Sequence, residues 1–375
     1  MIIEITGVGF HNKGAELMLL AVKEQIESWG DVEIALAPHS SSPYLKRARL
    51  GAWQKVNLRL GKLNLNSLSY YLPKSFRNSL RRSFGLVFEA DIDAVLDAAG
   101  FAYGDPWGER SIKKINRELK RWHSHGKKYI FLPQAFGPFE KIPKILPQNF
   151  FHLSPLIFAR DQDSLEYLRS YTKMDSIQIS PDFTPLVMPE KTARSPDGSV
   201  IIVPNFNMLS RRNSEASGNY LEFLNHAIQA SQELGYKPVL LNHEGDKDLQ
   251  LCRQMAVKHR LDVICDLDAI AVKIRLGGAS AVISSRYHAC MSALSQAVPC
   301  LGTSWSHKYK HLFRDFGRER YLLTPDLSME AVKEKLADVI RSAKDQDYLE
   351  AIDKVKEKTR EMWCSVRAEV MGNRS

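Results

Sequence analysis

Short apolar runs alternate along the chain with longer stretches whose apolar residues recur every three or four positions. In the first half the apolar runs predict strands at residues 1–8, 32–37, 94–99, 128–132, 156–159 and 176–179, and the helical spacing predicts helices over 12–29, 107–125 and 162–171. Residues 188–198, with Pro189, Lys191, Arg194, Pro196 and Gly198, read as a linker. The alternation then restarts, with strands at 200–203, 238–241, near 263, 281–284 and 299–302. Helices are expected over 219–234, 247–258, 269–276 and 287–296, and a final helical stretch over about 329–370.

Alternation of this kind builds parallel sheets covered by helices. The expected fold class is α/β, with two Rossmann-like, doubly wound domains facing a cleft. The N-terminal domain is expected over 1–190, with an insert over 38–88, and the C-terminal domain over 191–345. A last helix, 346–375, is longer than the second domain needs and is available to cross back to the first. In such sheets ligands bind beyond the carboxyl ends of the strands, so the loops that follow strands are where chemistry is sought.

Composition is that of a globular protein, 44% hydrophobic and 25% charged, which excludes disordered and collagen-like classes. The net charge of +9 is localised. From Ile34 to Phe88 there is no Asp or Glu, while Lys46, Arg47, Arg49, Lys55, Arg59, Lys62, Lys74, Arg77, Arg81 and Arg82 are all basic. The remainder of the chain is close to neutral. The five cysteines, Cys252, Cys265, Cys290, Cys300 and Cys364, are odd in number and never spaced as CxxC, which points to buried thiols in a reducing cytoplasm. No apolar run reaches the roughly 18 residues needed to span a bilayer, and the first residues read as a strand rather than a signal peptide.

Several strand ends carry polar groups. The first turn, Gly7-Val8-Gly9-Phe10-His11-Asn12-Lys13-Gly14-Ala15-Glu16, opens a helix, and free N–H groups at such a terminus favour an anion. It is no clean dinucleotide fingerprint, because Leu36-Ala37-Pro38 stands where an acidic residue is needed. A Gly-rich loop at 97–105 ends in Asp105, which either caps the next helix or serves the site. Arg160 stands at a strand tip, able to grip an anion or to pair with Asp161 or Asp163. The densest group is Ser284-Ser285-Arg286-Tyr287-His288, followed one strand later by Ser306-His307-Lys308. Two adjacent strand ends that both present cationic groups favour a phosphate or carboxylate site.

Taken together, these segments resemble the polysaccharide pyruvyl transferase family. The residues that carry the resemblance are Asn12-Lys13-Gly14-Ala15-Glu16, Ala159-Arg160-Asp161-Gln162-Asp163-Ser164, Pro181-Asp182-Phe183, His243-Glu244-Gly245-Asp246-Lys247-Asp248, Ser285-Arg286-Tyr287-His288 and Lys308, in the family's order. One departure is Ala98-Ala99-Gly100-Phe101, where the family usually shows a serine and paired glycines. The resemblance implies a fold similar to glycosyltransferase type B, and transfer of the enolpyruvyl group of phosphoenolpyruvate to two hydroxyls of a sugar in a polysaccharide or lipid-linked glycan precursor. The products would be a cyclic pyruvate ketal and phosphate, with no metal and no cofactor. It casts His288 as general acid, and Glu16, Asp105 or Asp182 as the group that orients or deprotonates acceptor hydroxyls. Arg286, Lys308 and Arg160 would neutralise the donor's phosphate and carboxylate, with Asn12, Gly14, His243, Ser285, Tyr287, Ser306 and His307 lining the substrate.

The competing enzyme reading is a nucleotide-sugar-dependent glycosyltransferase, since a diphosphate would suit the same helix starts. A polyanion- or nucleic-acid-binding module ranks last, because the cationic cluster sits at strand ends rather than along a surface, so no nucleic-acid partner is expected. The basic insert is interleaved with aromatic and aliphatic residues and reads either as a solvated face or, around 67–84, as a peripheral contact with an anionic membrane surface at the inner face.

Overall fold

In the computed structural model, residues 1–60, 63–143, 151–171, 176–189, 197–209, 214–303 and 308–372 are described. The chain divides into two compact units. The first comprises 1–10, 18–183 and 359–375, the second 11–17 and 184–358. The expected boundary at 190/191 thus stands beside a division at Phe183/Thr184, and residues 190–196 of the expected linker lie outside the described residues. In the last helix, residues 359–371 group with the first unit, whereas 346–358 stay with the second.

The first unit is built on a parallel sheet in the order β11-β10-β9-β7-β1-β2-β3-β6, with β8 beside β9. Its strands are β1 (Ile2–Thr6), β2 (Glu33–Leu36), β3 (Trp53–Lys55), β6 (Leu86–Val87), β7 (Ala94–Asp97), β8 (Phe101–Tyr103), β9 (Lys128–Phe136), β10 (Ile157–Ala159) and β11 (Ile177–Ile179); β4 (Arg59–Leu60) and β5 (Leu63–Asn64) form a separate hairpin. Helices α1 (Lys13–Glu27), α2 (Tyr44–Arg49), α3 (Lys74–Phe84), α4 (Gly108–Ser124) and α5 (Gln162–Tyr171) occur along this stretch of chain. Helix α4 shows why the pattern works: Ile112, Ile115, Leu119 and Trp122 fall on one stripe and pack with Val95, Tyr129 and Phe131 of the sheet.

Three sequence expectations change here. Residues 38–88 are not simply an insert, because β3 and β6 extend the main sheet. Their polar residues concealed them: buried Lys55 pairs with Glu4 at 2.5 Å, and buried Gln54 accepts from Arg47 Nε at 2.7 Å. Phe101–Tyr103, expected as part of a glycine loop, is strand β8. Strand β9 runs past the expected end at 132 to Phe136, because β8 supplies the pairing there, Phe101 against Ala135 and Tyr103 against Phe136.

The second unit holds a six-stranded parallel sheet in the order β14-β13-β12-β15-β16-β17. These strands are β12 (Ser199–Val203), β13 (Lys237–Leu241), β14 (Val263–Ile264), β15 (Ala281–Ser284), β16 (Cys300–Thr303) and β17 (Leu322–Leu323). The helices are α6 (Ser214–Glu233), α7 (Gly245–His259), α8 (Ala269–Gly277), α9 (Tyr287–Leu294), α10 (Lys308–Asp315), α11 (Met329–Arg341) and α12 (Gln346–Met371). Strand β12 is buried along its whole length, as expected for the centre of a sheet covered on both faces. The single helical stretch expected near the end is two helices. The chain breaks at Ser342, whose side chain accepts from Arg318 Nη1 at 2.9 Å and meets the Tyr321 hydroxyl at 2.8 Å.

Candidate active site

The second unit gathers the beginning of α1, the loop before α7 and the turn between β15 and α9. Asn12 caps α1: its side-chain oxygen accepts the N–H groups of Gly14 at 2.8 Å and Ala15 at 3.2 Å. Asn12 also forms an antiparallel bridge with Glu244, and the Lys13 N–H donates to the His243 carbonyl at 3.2 Å. Two glycines permit this approach. A Cβ on Gly14 would lie 2.2 Å from His288 Nδ1, and one on Gly245, whose φ is +55°, would lie 2.3 Å from His11 Nε2. The His288 ring therefore rests on the first turn of α1, at a place only glycine leaves open.

The turn that presents His288 is over-determined. The Ser285 carbonyl accepts from Asn205 Nδ2 at 2.8 Å and from the Tyr309 hydroxyl at 2.7 Å, and Ser285 Oγ shares a hydrogen bond with Tyr220 at 2.7 Å. The Arg286 N–H donates to Ser284 Oγ at 2.9 Å, so the chain leaves β15 in one conformation and enters α9 with Arg286 as its N-cap residue. Ser285 is 2% exposed and serves as a hub of the turn. Asn205, Tyr220 and Tyr309 were not singled out in the sequence; Asn205 follows strand β12, so its strand-end position was the available signal.

Arg286 is held by two carboxylates. Its Nε donates to Asp248 Oδ2 at 2.7 Å, Nη2 lies 2.5 Å from the same oxygen, and Nη1 pairs with Glu244. Burial alone would disfavour the guanidinium charge, but Asp248 and Glu244 outweigh it and push the Arg286 pKa up. Burial raises the Asp248 carboxyl against the opposing pull of Arg286. His243 is fully enclosed, and burial, followed by the charge of Arg286, holds its imidazole well below its ordinary pKa, which makes it a neutral ring at neutral pH. Its Nδ1 has no hydrogen-bond partner among the described residues.

Tyr287 lies edge-on to His288 at 5.2 Å and to Tyr309 at 5.7 Å, and Lys308, the first residue of α10, sits 5.5 Å over the Tyr287 ring and 5.8 Å from that of Tyr309. Aromatic faces so placed hold the Lys308 ammonium group beside Tyr287. Glu16 is 5% exposed and pairs with Lys13 at 2.8 Å. Ser306 and His307 lie outside the described residues.

The remaining expected site residues belong to the first unit. Arg160 pairs there with Asp182 at 3.4 Å, and Asp161 accepts the Ser164 N–H at 2.8 Å at the start of α5. Asp105 does not cap α4, whose N-cap is Trp107; its carboxylate accepts the N–H groups of Glu140 at 2.9 Å and Lys141 at 3.1 Å and closes that loop. Nearby, buried Asp97 accepts from the hydroxyls of Tyr103 at 2.6 Å and Tyr129 at 2.8 Å. Burial raises the pKa of its carboxyl.

A UDP-N-acetylglucosamine 2-epimerase superposes with a TM-score of 0.58 at 11% identity over 100% of this chain and 97% of its own. The UDP-GlcNAc 2-epimerase from Methanocaldococcus jannaschii gives 0.57 at 12% identity, covering 97% and 98% of the two chains. The UDP-GlcNAc 2-epimerase from Neisseria meningitidis bound to UDP-GlcNAc gives 0.55 at 11% identity, covering 97% and 99%. At such identities these likenesses establish the fold, two Rossmann-like domains of the glycosyltransferase type B kind. Among curated proteins no sequence matches. The family model for polysaccharide pyruvyl transferase matches residues 12–307, a span that begins at the Asn12 cap and includes the turn carrying Arg286 and His288. The chain belongs to the polysaccharide pyruvyl transferase family and is a transferase.

Proposed function

We propose that the protein transfers the enolpyruvyl carbons of phosphoenolpyruvate to two hydroxyls of one sugar, forming a cyclic ketal. The observation that carries this reading is the His288 imidazole, seated on a glycine at a helix start in the turn that also carries Arg286, with Tyr287, which bears Lys308 over its ring, edge-on to it. Phosphoenolpyruvate needs a proton at its methylene carbon and cations for its carboxylate and phosphate. Protonated His288 gives its proton to the methylene carbon, which becomes the methyl group, while one sugar oxygen bonds to the adjacent carbon. The second hydroxyl then bonds to the same carbon as the C–O bond to phosphate breaks. Of the two hydroxyl protons, one restores His288 and the other leaves on phosphate. Lys308 and the N–H groups at the start of α9 are assigned to the departing phosphate, and buried Glu16 to the acceptor hydroxyls. The acceptor is a sugar within a polysaccharide or lipid-linked glycan precursor. The experiment is incubation with phosphoenolpyruvate and a panel of aryl or lipid-linked galactosides, glucosides and N-acetylmannosaminides. Ketal product with equimolar phosphate is expected. Protection from thermal unfolding by UDP-sugars but not by phosphoenolpyruvate would favour a nucleotide-sugar reaction instead.

We also propose that the acid-free segment docks on an anionic bilayer. Of its cations, Arg47 and Lys55 are buried, Arg77 pairs with Asp91 at 3.2 Å and Arg81 lies 5.9 Å over Trp53, whereas Lys46, Arg49, Arg59, Lys74 and Arg82 are exposed. Tyr44, Leu45, Leu68, Tyr71, Phe76 and Phe84 are exposed in the same segment. Cations with apolar side chains among them and no acid suit an anionic interface, each charge contributing about 1 kcal/mol. Flotation with vesicles containing anionic lipid is expected to carry the protein. Neutralising Arg49, Lys74 and Arg82 together should release it, and flotation that is absent, or unchanged in that variant, would reject the docking.

A further inference from the structure

The two carboxylates on Arg286 are not equivalent. Asp248 is 1% exposed in its side chain, holds Nε and Nη2, and accepts the Phe206 N–H at 2.9 Å through its other oxygen, so it is fixed on every side. Glu244 is 31% exposed in its side chain and holds only Nη1. It stands at the N-cap of α7, yet its carboxylate makes no capping bond. Its backbone is pinned by the bridge to Asn12, whereas its carboxylate hangs on single bonds with a path to solvent.

Charge points the same way. One guanidinium between two carboxylates leaves an excess of negative charge, and an anion approaching Arg286 is repelled while Glu244 stays in place. A carboxylate arriving from solution would make the same contact with Nη1 that Glu244 makes, so exchange of one for the other keeps Arg286 paired and its charge balanced.

Resting on the donor reading above, we propose that the Glu244 side chain is a tethered competitor: its carboxylate occupies the seat on Arg286 that the carboxylate of the anionic donor takes, and it swings out when the donor binds. Asp248 is the permanent brace and Glu244 the displaceable one. Glu244 thereby sets donor affinity.

Calorimetric titration of phosphoenolpyruvate into the full chain tests this with Glu244→Gln, which keeps the length and an acceptor oxygen but removes the charge. Asp246→Asn is the control, since Asp246 is exposed and lies two residues away. The expected result is about tenfold tighter binding in Glu244→Gln and a change below about twofold in Asp246→Asn, where tenfold corresponds to about 1.4 kcal/mol. Equal or weaker binding in Glu244→Gln, or equal gains in both variants, overturns the proposal while leaving the donor reading intact. If neither wild type nor Glu244→Gln binds phosphoenolpyruvate, the donor reading falls, and titrations with oxalate and inorganic phosphate decide the seat. A gain for oxalate larger than for phosphate in Glu244→Gln keeps it; no gain for oxalate, or a gain no larger than for phosphate, overturns it.

Discussion

The acid-free stretch of the first unit and the strand ends of the second are both rich in cations, but they manage those charges differently. In the first, Lys55 and Arg47 face inward onto Glu4 and Gln54, while Lys46, Arg49, Lys74 and Arg82 are exposed. In the second, each is placed: Arg286 between two carboxylates and Lys308 over two tyrosine rings, with the His288 imidazole on the first turn of a helix. Charge density in a sequence reports the surface, whereas chemistry follows from the groups that fix a charge in one place.

The contrast is broken most forcefully inside the first region. Lys55 is counted with the basic segment but belongs to the sheet, 2.5 Å from Glu4 and 4.9 Å from the Trp122 ring. Replacing it with Met leaves Glu4 buried and uncompensated. Denaturant unfolding is expected to show a loss of about 3 kcal/mol or more, whereas exposed Arg82→Gln should stay within about 0.5 kcal/mol. Equal effects would mean that burial does not separate these cations.

A second variant sharpens the other side. Gly14→Ala places a methyl group into the His288 ring and must displace it. Because a shift of about 1 Å at a reacting group costs on the order of 10²-fold in rate, turnover should fall by about that factor while the melting temperature changes little. Unchanged turnover would show that the seat of the ring is unimportant. The smallest effect is expected at the membrane, where neutralising exposed cations changes partitioning by about 1 kcal/mol per charge and leaves turnover on a soluble acceptor untouched.

Much of this was legible in the sequence. Most strands of both sheets follow from apolar runs such as Val200–Val203, though not β3, β6, β8 or β17, and His288 and Arg286 follow from their place after β15. What the pattern concealed has physical causes. Strands β3 and β6 are short, and in β3 Gln54 and Lys55 are buried only because Arg47 and Glu4 satisfy them, which no periodicity shows. Arg160 has a partner in Asp182, 22 residues away, a pairing that no local spacing announces. Glu244 and Asp248 were visible as residues but not as the two unequal hands on Arg286, because that relation depends on a contact across about 40 residues of chain.

The central claim is that His288 protonates the donor in a ketal-forming transfer. It is tested most directly by following phosphate release and the ketal methyl signal by NMR, with phosphoenolpyruvate and a glycoside acceptor, for wild type and His288→Ala. The account predicts equal amounts of phosphate and ketal from wild type and a loss of about 10²-fold or more in the folded variant. Ketal formation at the wild-type rate by His288→Ala, or phosphate released from wild type with no ketal formed, would contradict it.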